Sequence, residues 1–460
     1  MKSCFLFIEN VISGMLPLVF LVFCGVYFTF KTRFVQIRKL IFALKLPFKG
    51  KKGQKGKITS WGAACNSLSA TVGTGNISGV AAAISTGGAG AVFWMWVSAF
   101  LSMAVKSAEI TLAMLFRKNR DGVLSGGPMY YIKYGLSKNG GLLSGIFAFL
   151  CILSSVTTGN ITQVNSCCSV IATDTKAKLL LGIGFLIITA VIIMGGAEKI
   201  TRFTTYLLPL MAITYIALCF GVILKNKSAV SGVFGDIIKG AFYPKSVTGG
   251  AVGSLYKTLI CGVQKGIFSN EAGLGTAGMA HASAENADLK TEGYFGIFEV
   301  FVDTIVICTL TALTILSSGI IIDYNKLSSS ELVCRVFGSL YGDAAKYLLG
   351  IMLFVFALSS VLGWANYGML AAKFIKGQNG EKIFTVIYPF FCVLGALMNV
   401  KPAWQTAELC NGIMFTVNGF AVFCLFEKTV TILKGNTNEK NGKFTKRIGK
   451  RRSRDYYGRC

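Results

Sequence analysis

The part of this sequence with the clearest chemical potential is a short polar stretch, SATVGTGNIS, at positions 69–78. Gly73 and Gly75 interrupt an apolar run there, and Thr71 and Asn76 add side-chain oxygens that suit a hard cation. A helix that unwinds at this point frees N–H groups that can bind a carboxylate and carbonyl groups that can coordinate a cation. The glycines also let a ligand approach the main chain closely. The stretch therefore predicts one small cavity that an anionic group and a cation share.

A second stretch of the same kind, GIFSNEAGLGT, lies at positions 266–276. We expect Asn270 and Gly273 to lie near the ligand. Glu271 is an ionisable group beside a helix break, which indicates a gating or supporting role, or a cap on the half-helix that follows. Two glycine-interrupted apolar segments at corresponding positions of two halves are typical of the binding site of a secondary transporter.

The first stretch has two other interpretations. It can be a kink or a close helix contact, because small residues let membrane helices approach each other. A dinucleotide-binding loop fits poorly, since the glycines at 73, 75 and 79 are one residue off the G-x-G-x-x-G spacing and no βαβ pattern surrounds them.

The elements that must position both stretches are membrane-spanning helices. Of the 460 residues, 53% are hydrophobic and 14% are charged, whereas about 25% are charged in an ordinary soluble domain. Apolar runs of roughly the 20 residues that cross a bilayer predict eleven spans, at 11–30, 59–85, 88–116, 142–170, 178–197, 201–224, 249–283, 293–319, 343–373, 382–399 and 403–426.

The net charge of +26 is concentrated in two basic segments. Ten Lys and Arg lie between Lys31 and Lys57, and eleven lie between Lys428 and Arg459. Basic clusters beside membrane spans face the cytoplasm and anionic lipid, so lipid is favoured over nucleic acid as their partner. The pattern predicts a multi-pass protein of a bacterial-type inner membrane, with its N-terminus outside and its C-terminus in the cytoplasm.

The arrangement of spans indicates an internal repeat. Without the first span, ten remain, and they divide into two sets of five that must run in opposite directions. Each set opens with one of the glycine-interrupted spans. The predicted organisation is an extra span with a basic loop at 1–57, repeats at 58–225 and 226–426, and a basic tail at 427–460.

Several motifs resemble the alanine or glycine:cation symporter family. They are TVGTGNISGVAAAI, GAVFWMWVSAFLSMAVKSAEITLA, GGPMYYI, GIFSNEAGLGTAGMAHA and ALSSVLGW, in the family's order. The resemblance implies an all-α, leucine-transporter-like fold with one extra N-terminal helix. It also implies uptake of a small neutral amino acid, alanine or glycine, coupled to sodium and to no other cofactor. Proton coupling or a preference for glutamine is the alternative within the family.

The resemblance also implies roles for individual residues. Those implied for the substrate are Thr71, Gly73, Thr74, Gly75, Gly159, Gln163 and Trp364, with Asn165 as an alternative that can instead join two helices. Those implied for sodium are the hydroxyls of Ser359 and Ser360, the carbonyls of Ser69 and Val72, and Asn76.

Three intramembrane charges are candidates for gating or support. Lys106 and Glu109 lie three residues apart on one helix face, so we expect them to neutralise each other. Asp303 lies in a later span, and one histidine, His281, gives little reason to predict a proton relay.

Two other classes of function find less support in the sequence. An ion channel needs a continuous polar pore, which few intramembrane charges and two broken helices do not provide. A membrane-bound enzyme needs a nucleophile with its base or a metal cluster, and the sequence has neither H-E-x-x-H nor G-x-S-x-G.

Overall fold

The computed structural model describes residues 14–49, 58–120, 123–136, 140–172, 174–248, 252, 254–285, 287–322, 324 and 329–434. These residues are nearly all helical. The helices in chain order are α1 Leu16–Lys31, α2 Val35–Arg38, α3 Leu40–Leu44, α4 Ser60–Thr71, α5 Ser78–Gly87, α6 Gly90–Phe116, α7 Pro128–Gly135, α8 Gly140–Val156, α9 Thr162–Ile171, α10 Thr175–Ile193, α11 Gly196–Lys225, α12 Val230–Phe242, α13 Pro244–Thr248, α14 Leu255–Asn270, α15 Thr276–Ala282, α16 Leu289–Val300, α17 Thr309–Ser317, α18 Ser329–Tyr341, α19 Ala344–Ile387, α20 Phe390–Leu397, α21 Val400–Leu425 and α22 Glu427–Lys434.

Short irregular elements connect some of these helices. Single 3₁₀ turns cover Leu46–Lys49, Thr74–Asn76 and Lys227–Ala229, and π-helical turns cover Thr157–Ile161 and Phe301–Cys308. The strands β1 Lys118–Arg120 and β2 Val123–Ser125 pair as an antiparallel hairpin.

Seven helical segments of the described chain are long and apolar enough to cross a membrane. The other four predicted spans fall on a shorter helix (11–30), on two helices that are broken (59–85 and 249–283), and on the segment that contains α20 (382–399). The count of eleven spans therefore stays a prediction, as do the two inverted repeats and their boundaries. Helices α10 and α11 expose apolar side chains along their outer faces, as lipid-facing helices do.

Both predicted helix breaks are confirmed. Helix α4 ends at Thr71, Val72 and Gly73 are extended, and α5 begins after the 3₁₀ turn at Ser78. We call α4 and α5 the first broken helix. Helix α14 ends at Asn270 and α15 begins at Thr276, and we call them the second broken helix.

Positive φ angles shape the second break. Glu271 has φ 55° and ends α14, and Gly273 and Gly275 follow with φ 97° and 78°. Glycine reaches such angles without steric cost, whereas a glutamate there is uncommon. The neighbouring groups that hold Glu271 in this conformation are part of the site described below.

Helix α6 lies at the centre of the fold and packs along α14, α15 and α16. Its contact with α14 is close, because a β-carbon on Gly262 would lie 2.7 Å from the Cβ of Trp94 and would collide with the carbonyl of Ala91. Helix α19 crosses on the other side, where Gly363 brings it against the backbone of Ala70. Both broken helices are thus held between two long helices.

Candidate functional site

The N–H groups freed at the first break donate to side chains. The N–H of Gly73 donates to Oδ1 of Asn76 at 3.0 Å. The N–H and the hydroxyl of Thr74 both donate to Oε1 of Gln163, at 3.1 and 2.9 Å. Gln163 reaches the break from α9, and its implied role as a substrate ligand stays a prediction. Asn165 donates to the carbonyls of Gly395 and Met398 and joins α9 to the α20 segment, which is the alternative expected for it.

Two carbonyl groups at this break lack the N–H donor, four residues further along the chain, that they would have in a continuous helix. The N–H of Gly73 would bond to the carbonyl of Ser69 if α4 continued, but it donates to Asn76 instead. The N–H of Asn76 would bond to Val72 but donates to the carbonyl of Gly73 at 3.2 Å. These are the two carbonyls that were predicted to bind sodium.

Of the two neighbouring serines on α19, Ser360 faces the same break. Ser359 and Ser360 are fully buried, and neither hydroxyl has a hydrogen-bond partner among the described residues. A β-carbon on Gly73 would collide with Oγ of Ser360 and would lie 2.9 Å from Oε1 of Gln163. Oxygen atoms from α9 and α19 therefore converge on the main chain at Gly73. Buried hydroxyls normally have a hydrogen-bond partner, so one without a partner is a candidate ligand for an ion or a polar molecule.

The hydroxyls of Ser69 and Thr71 turn back on their own helix. Oγ of Ser69 donates to the carbonyl of Asn66 at 2.8 Å, and Oγ1 of Thr71 lies 3.3 Å from the carbonyl of Leu68. Such bonds are usual for Ser and Thr in membrane helices.

Asn76 connects the first break to a buried carboxylate. Its Nδ2 donates to Oδ1 of Asp303 at 2.7 Å and to Oγ of Ser269 at 3.0 Å. The hydroxyls of Ser269 and Thr304 donate to the other oxygen of Asp303, both at 2.8 Å. Asp303 lies in the π-helical turn Phe301–Cys308, so it joins both broken helices at their midpoints. Sequence reasoning singled out Asp303 but missed Ser269 and Thr304, which carry no signal beyond their polarity.

Glu271 braces the second break against α19. Its Oε2 accepts the hydroxyl of Thr276 at 2.9 Å, and its Oε1 accepts Nε1–H of Trp364 at 2.9 Å. The Trp364 side chain fills the space that Gly159 leaves in the π-helical turn Thr157–Ile161. The room predicted at Gly159 for a ligand is therefore occupied by Trp364 here.

The other residues of the second break are also tightly held. Asn270 accepts the N–H of Ala272 at 3.0 Å and lies 3.4 Å from Oγ1 of Thr304. A β-carbon on Gly273 would collide with the ring of Phe415. On the first break, a β-carbon on Gly75 would lie 3.8 Å from the ring of Phe268.

The predicted pairing of Lys106 with Glu109 is wrong. Nζ of Lys106 lies 3.1 Å from Oε2 of Glu299 and donates to the carbonyl of Asn270 at 2.9 Å. Glu109 instead accepts Nδ2 of Asn418 at 2.5 Å. Residues three apart on a helix point in similar directions, but α6 packs against different helices at the two positions, and each side chain meets the partner that its own neighbour supplies.

A second ion pair that the sequence analysis missed lies beside a cavity of about 110 Å³. Nζ of Lys265 on α14 lies 2.9 Å from Oε1 of Glu408 on α21. The Lys265 ammonium also lies over the rings of Phe268 and Trp404, at 5.8 and 5.5 Å. The presence of charged residues at positions 265 and 408, inside apolar segments, was the sequence feature that could have indicated this ion pair.

Comparisons with known proteins agree on one family. The family model described as "Sodium:alanine symporter family" matches residues 1–449. A sodium/alanine symporter of Methanococcus maripaludis is 34% identical over 94% of this chain and 97% of its own. A probable sodium/glutamine symporter of Bacillus subtilis is 35% identical over 94% of this chain and 90% of its own.

A solved structure shows the likeness in fold. The crystal structure of MhsT in complex with L-phenylalanine has a TM-score of 0.61, with 14% sequence identity, over 85% of this chain and 95% of that one. This identity is low enough that the match concerns the fold alone. It supports the predicted leucine-transporter-like fold.

We predict that Gly159→Ala destabilises the site. The new methyl group would displace Trp364 and leave Oε1 of Glu271 without its donor. Overpacking costs about 1–3 kcal/mol, and an unpaired buried acceptor costs a similar amount. The unfolding temperature of the purified protein in detergent should fall. Gly145→Ala is the matched control, because it lies in α8 of the same span with open space around it; an equal unfolding temperature in both variants would contradict the prediction.

Proposed function

This chain belongs to the sodium:alanine symporter family, and on that premise we propose that it couples sodium entry to the uptake of alanine or glycine by alternating access. The family places the chain among multi-pass membrane transport proteins. Sodium and substrate would favour the same conformational state, so that the sodium gradient drives uptake.

The observation that carries sodium coupling is the set of oxygens around Gly73. Ser359 and Ser360 offer buried hydroxyls without partners, and Ser69 and Val72 offer carbonyls without helical donors. Uncharged oxygen ligands at a helix break suit an alkali cation. None of these groups titrates near neutral pH, which favours sodium over a proton at this place. Asn76, directed toward Asp303, is proposed as a link between this place and the second break.

The substrate is proposed to bind at the first break from the side of Gln163. Thr74 offers an N–H and a hydroxyl, and Gln163 now supplies the oxygen that both donate to. A substrate carboxylate would take the place of that oxygen, and Thr71, Gly73, Gly75, Asn270 and Gly273 would line the cavity around it. Gly159 would contribute by leaving the space that the Trp364 side chain fills.

Aromatic side chains support a small substrate. Trp364 fills the space at Gly159, Phe268 lies against Gly75, and Phe415 lies against Gly273. Three rings around the two breaks leave little room for a side chain. We therefore favour alanine or glycine over glutamine, although a probable glutamine symporter is among the relatives.

The proposed orientation places both basic segments in the cytoplasm, at an inner membrane. Lys31, at the end of α1, lies 3.2 Å from Glu427, at the start of α22. The ring of Phe28 stacks on that of Phe426 with centroids 3.7 Å apart. The start of the first basic segment and the start of the basic tail are thus at the same end of the bundle, and a shared cytoplasmic side satisfies the positive-inside rule for both.

We predict that Ser360→Ala raises the half-saturating sodium concentration for alanine uptake. An interaction with a charged group is worth about 1.5–3 kcal/mol, so the increase should be about tenfold or more. The measurement is labelled alanine uptake into proteoliposomes at varied external sodium. Ser317→Ala removes another buried hydroxyl without a partner, on α17, and should leave the value unchanged. An unchanged value in Ser360→Ala would remove Ser360 from the sodium site.

We predict that accumulation of labelled alanine requires an inward sodium gradient. Unlabelled L-alanine and glycine should compete with it, and L-glutamine should compete weakly because the three rings restrict the side chain. Accumulation without sodium would refute symport with sodium. Equal competition by L-glutamine would refute the proposed size limit and leave sodium coupling intact.

A further inference from the structure

A buried ionic cluster lies below the two breaks, on the side that the proposed orientation assigns to the cytoplasm. His281 of α15 contacts two carboxylates of α16: its Nδ1 contacts Oε2 of Glu292, and its Nε2 lies 2.6 Å from Oε1 of Glu299. All three side chains are fully buried. We call these three residues the His281 bridge.

Two hydrogen bonds from His281 to carboxyl oxygens need one proton more than a neutral histidine with two carboxylates provides. A neutral imidazole has one N–H and one bare nitrogen, and a carboxylate oxygen is an acceptor with no hydrogen to give. Both ring nitrogens face carboxyl oxygens here, so either the ring carries two protons or one of the carboxyl groups is protonated. Oε1 of Glu292 has no partner among the described residues, which leaves the bridge as the main interaction of that carboxyl.

The charged groups around the bridge make the extra proton favourable. Lys106 of α6 pairs with Glu299, and Arg117 after α6 lies near Glu292 and donates to the carbonyl of Ala284 at 2.7 Å. Besides Lys106, the buried tyrosine, acidic and basic side chains on α6, α7 and α19, which pack against α15, are Glu109, Tyr130, Tyr131 and Tyr367; α4 and β2 contribute no charged side chain. Lys106 and the two carboxylates are fully buried and sum to a charge of −1, which one proton on His281 cancels. Arg117 opposes this proton, but it is only partly buried and so acts less strongly than the buried charges.

The carboxylate of Glu299 joins the inner halves of both broken helices. Ser67 of α4 donates to Oε2 of Glu299 at 2.7 Å, and His281 of α15 holds its other oxygen. In the proposed orientation, α4 and α15 are the halves on the cytoplasmic side of the breaks. Alternating access moves one repeat or bundle against the other around the fixed site, and a movement that takes α15 away from α16 would separate His281 from Glu292 and Glu299.

We propose that the His281 bridge is a proton-binding site that keeps the inner side of the transporter closed. It holds one proton while α15 lies against α16. The proton passes from the imidazole to cytoplasmic water when the two helices separate, because a hydrated histidine is mostly neutral above about pH 6.5. A ligand that binds the closed state better shifts the population toward it, so cytoplasmic acid should oppose inward opening. The predicted effect of cytoplasmic pH on inward opening rests on the proposed alternating access. The presence of the bound proton does not depend on it.

The bound proton can be observed directly, because the chain has one histidine. Protein labelled with ¹⁵N-histidine and purified through a histidine-free tag would give imidazole resonances from His281 alone. At about pH 7.5 in lipid nanodiscs, an exposed histidine would be neutral. We expect a ring that is protonated at both nitrogens, or a hydrogen-bonded ring with a protonated carboxyl partner seen by infrared difference spectroscopy against Glu292→Gln. A single neutral tautomer together with two ionised carboxyl groups would overturn the proposal.

The link to opening is tested by uptake at varied luminal pH. In proteoliposomes with a fixed sodium gradient and fixed external pH, wild-type uptake should fall several-fold as luminal pH falls from about 8 to about 6. His281→Gln keeps hydrogen bonding but cannot bind the proton, and its profile should be flat. Asp288→Asn, an exposed cap at the start of α16, is the control and should keep the wild-type profile. A His281→Gln profile as steep as wild type would overturn the link, whereas uptake that ignores sodium would count against the proposed function and leave the bridge standing.

Discussion

Main-chain groups freed inside the bundle need partners, and the rest of this structure depends on that need. Two helices stop and restart at the middle of an apolar fold, where water is not at hand to bond their N–H and carbonyl groups. At the first break, Asn76 and Gln163 accept the freed N–H groups. At the second, Asn270 accepts the N–H of Ala272, and Lys106 donates to the carbonyl of Asn270. The hydroxyls of Ser359 and Ser360, which are buried without a partner among the described residues, belong to the place where we propose that sodium binds.

Three buried carboxylates connect these breaks to the helices around them. Asp303 joins Asn76 to Ser269, so the two breaks are bonded through one side chain. Glu271 joins the second break to α19 through Trp364, and Glu299 joins both inner halves to α6. A lost partner on any of them leaves a buried charge uncompensated, which is costly. Such links transmit a change at one break to the other without a large contact area between the half-helices.

The sequence was sufficient for the features that local chemistry decides. Glycine next to polar residues in an apolar run identified both breaks. The family resemblance, rather than local chemistry, pointed to Gln163 and Ser360, whose side chains lie at the first break. The sequence did not predict which side chains pair between helices, because the spacing along one helix carries no information about the side chains of an adjacent helix. Lys106 therefore had the wrong partner, and Glu299 and Glu292 were not singled out. Gly159 was identified as a position that leaves space, but nothing in the sequence indicated that Trp364 fills that space.

The two places proposed for ions, at Gly73 and at the His281 bridge, differ in the chemistry of their side chains. The oxygens near Gly73 belong to hydroxyl and carbonyl groups, which coordinate a cation without gaining or losing protons. The His281 bridge consists of an imidazole and carboxyl groups, which exchange protons readily and are charged or neutral according to burial. Sodium at the first place would join the first broken helix to α19. A proton at the second place would join α15, which is part of the second broken helix, to α16. Cytoplasmic pH would then adjust the rate of release through the conformational equilibrium, and because both ions bias that equilibrium, it would also change the apparent affinity for sodium.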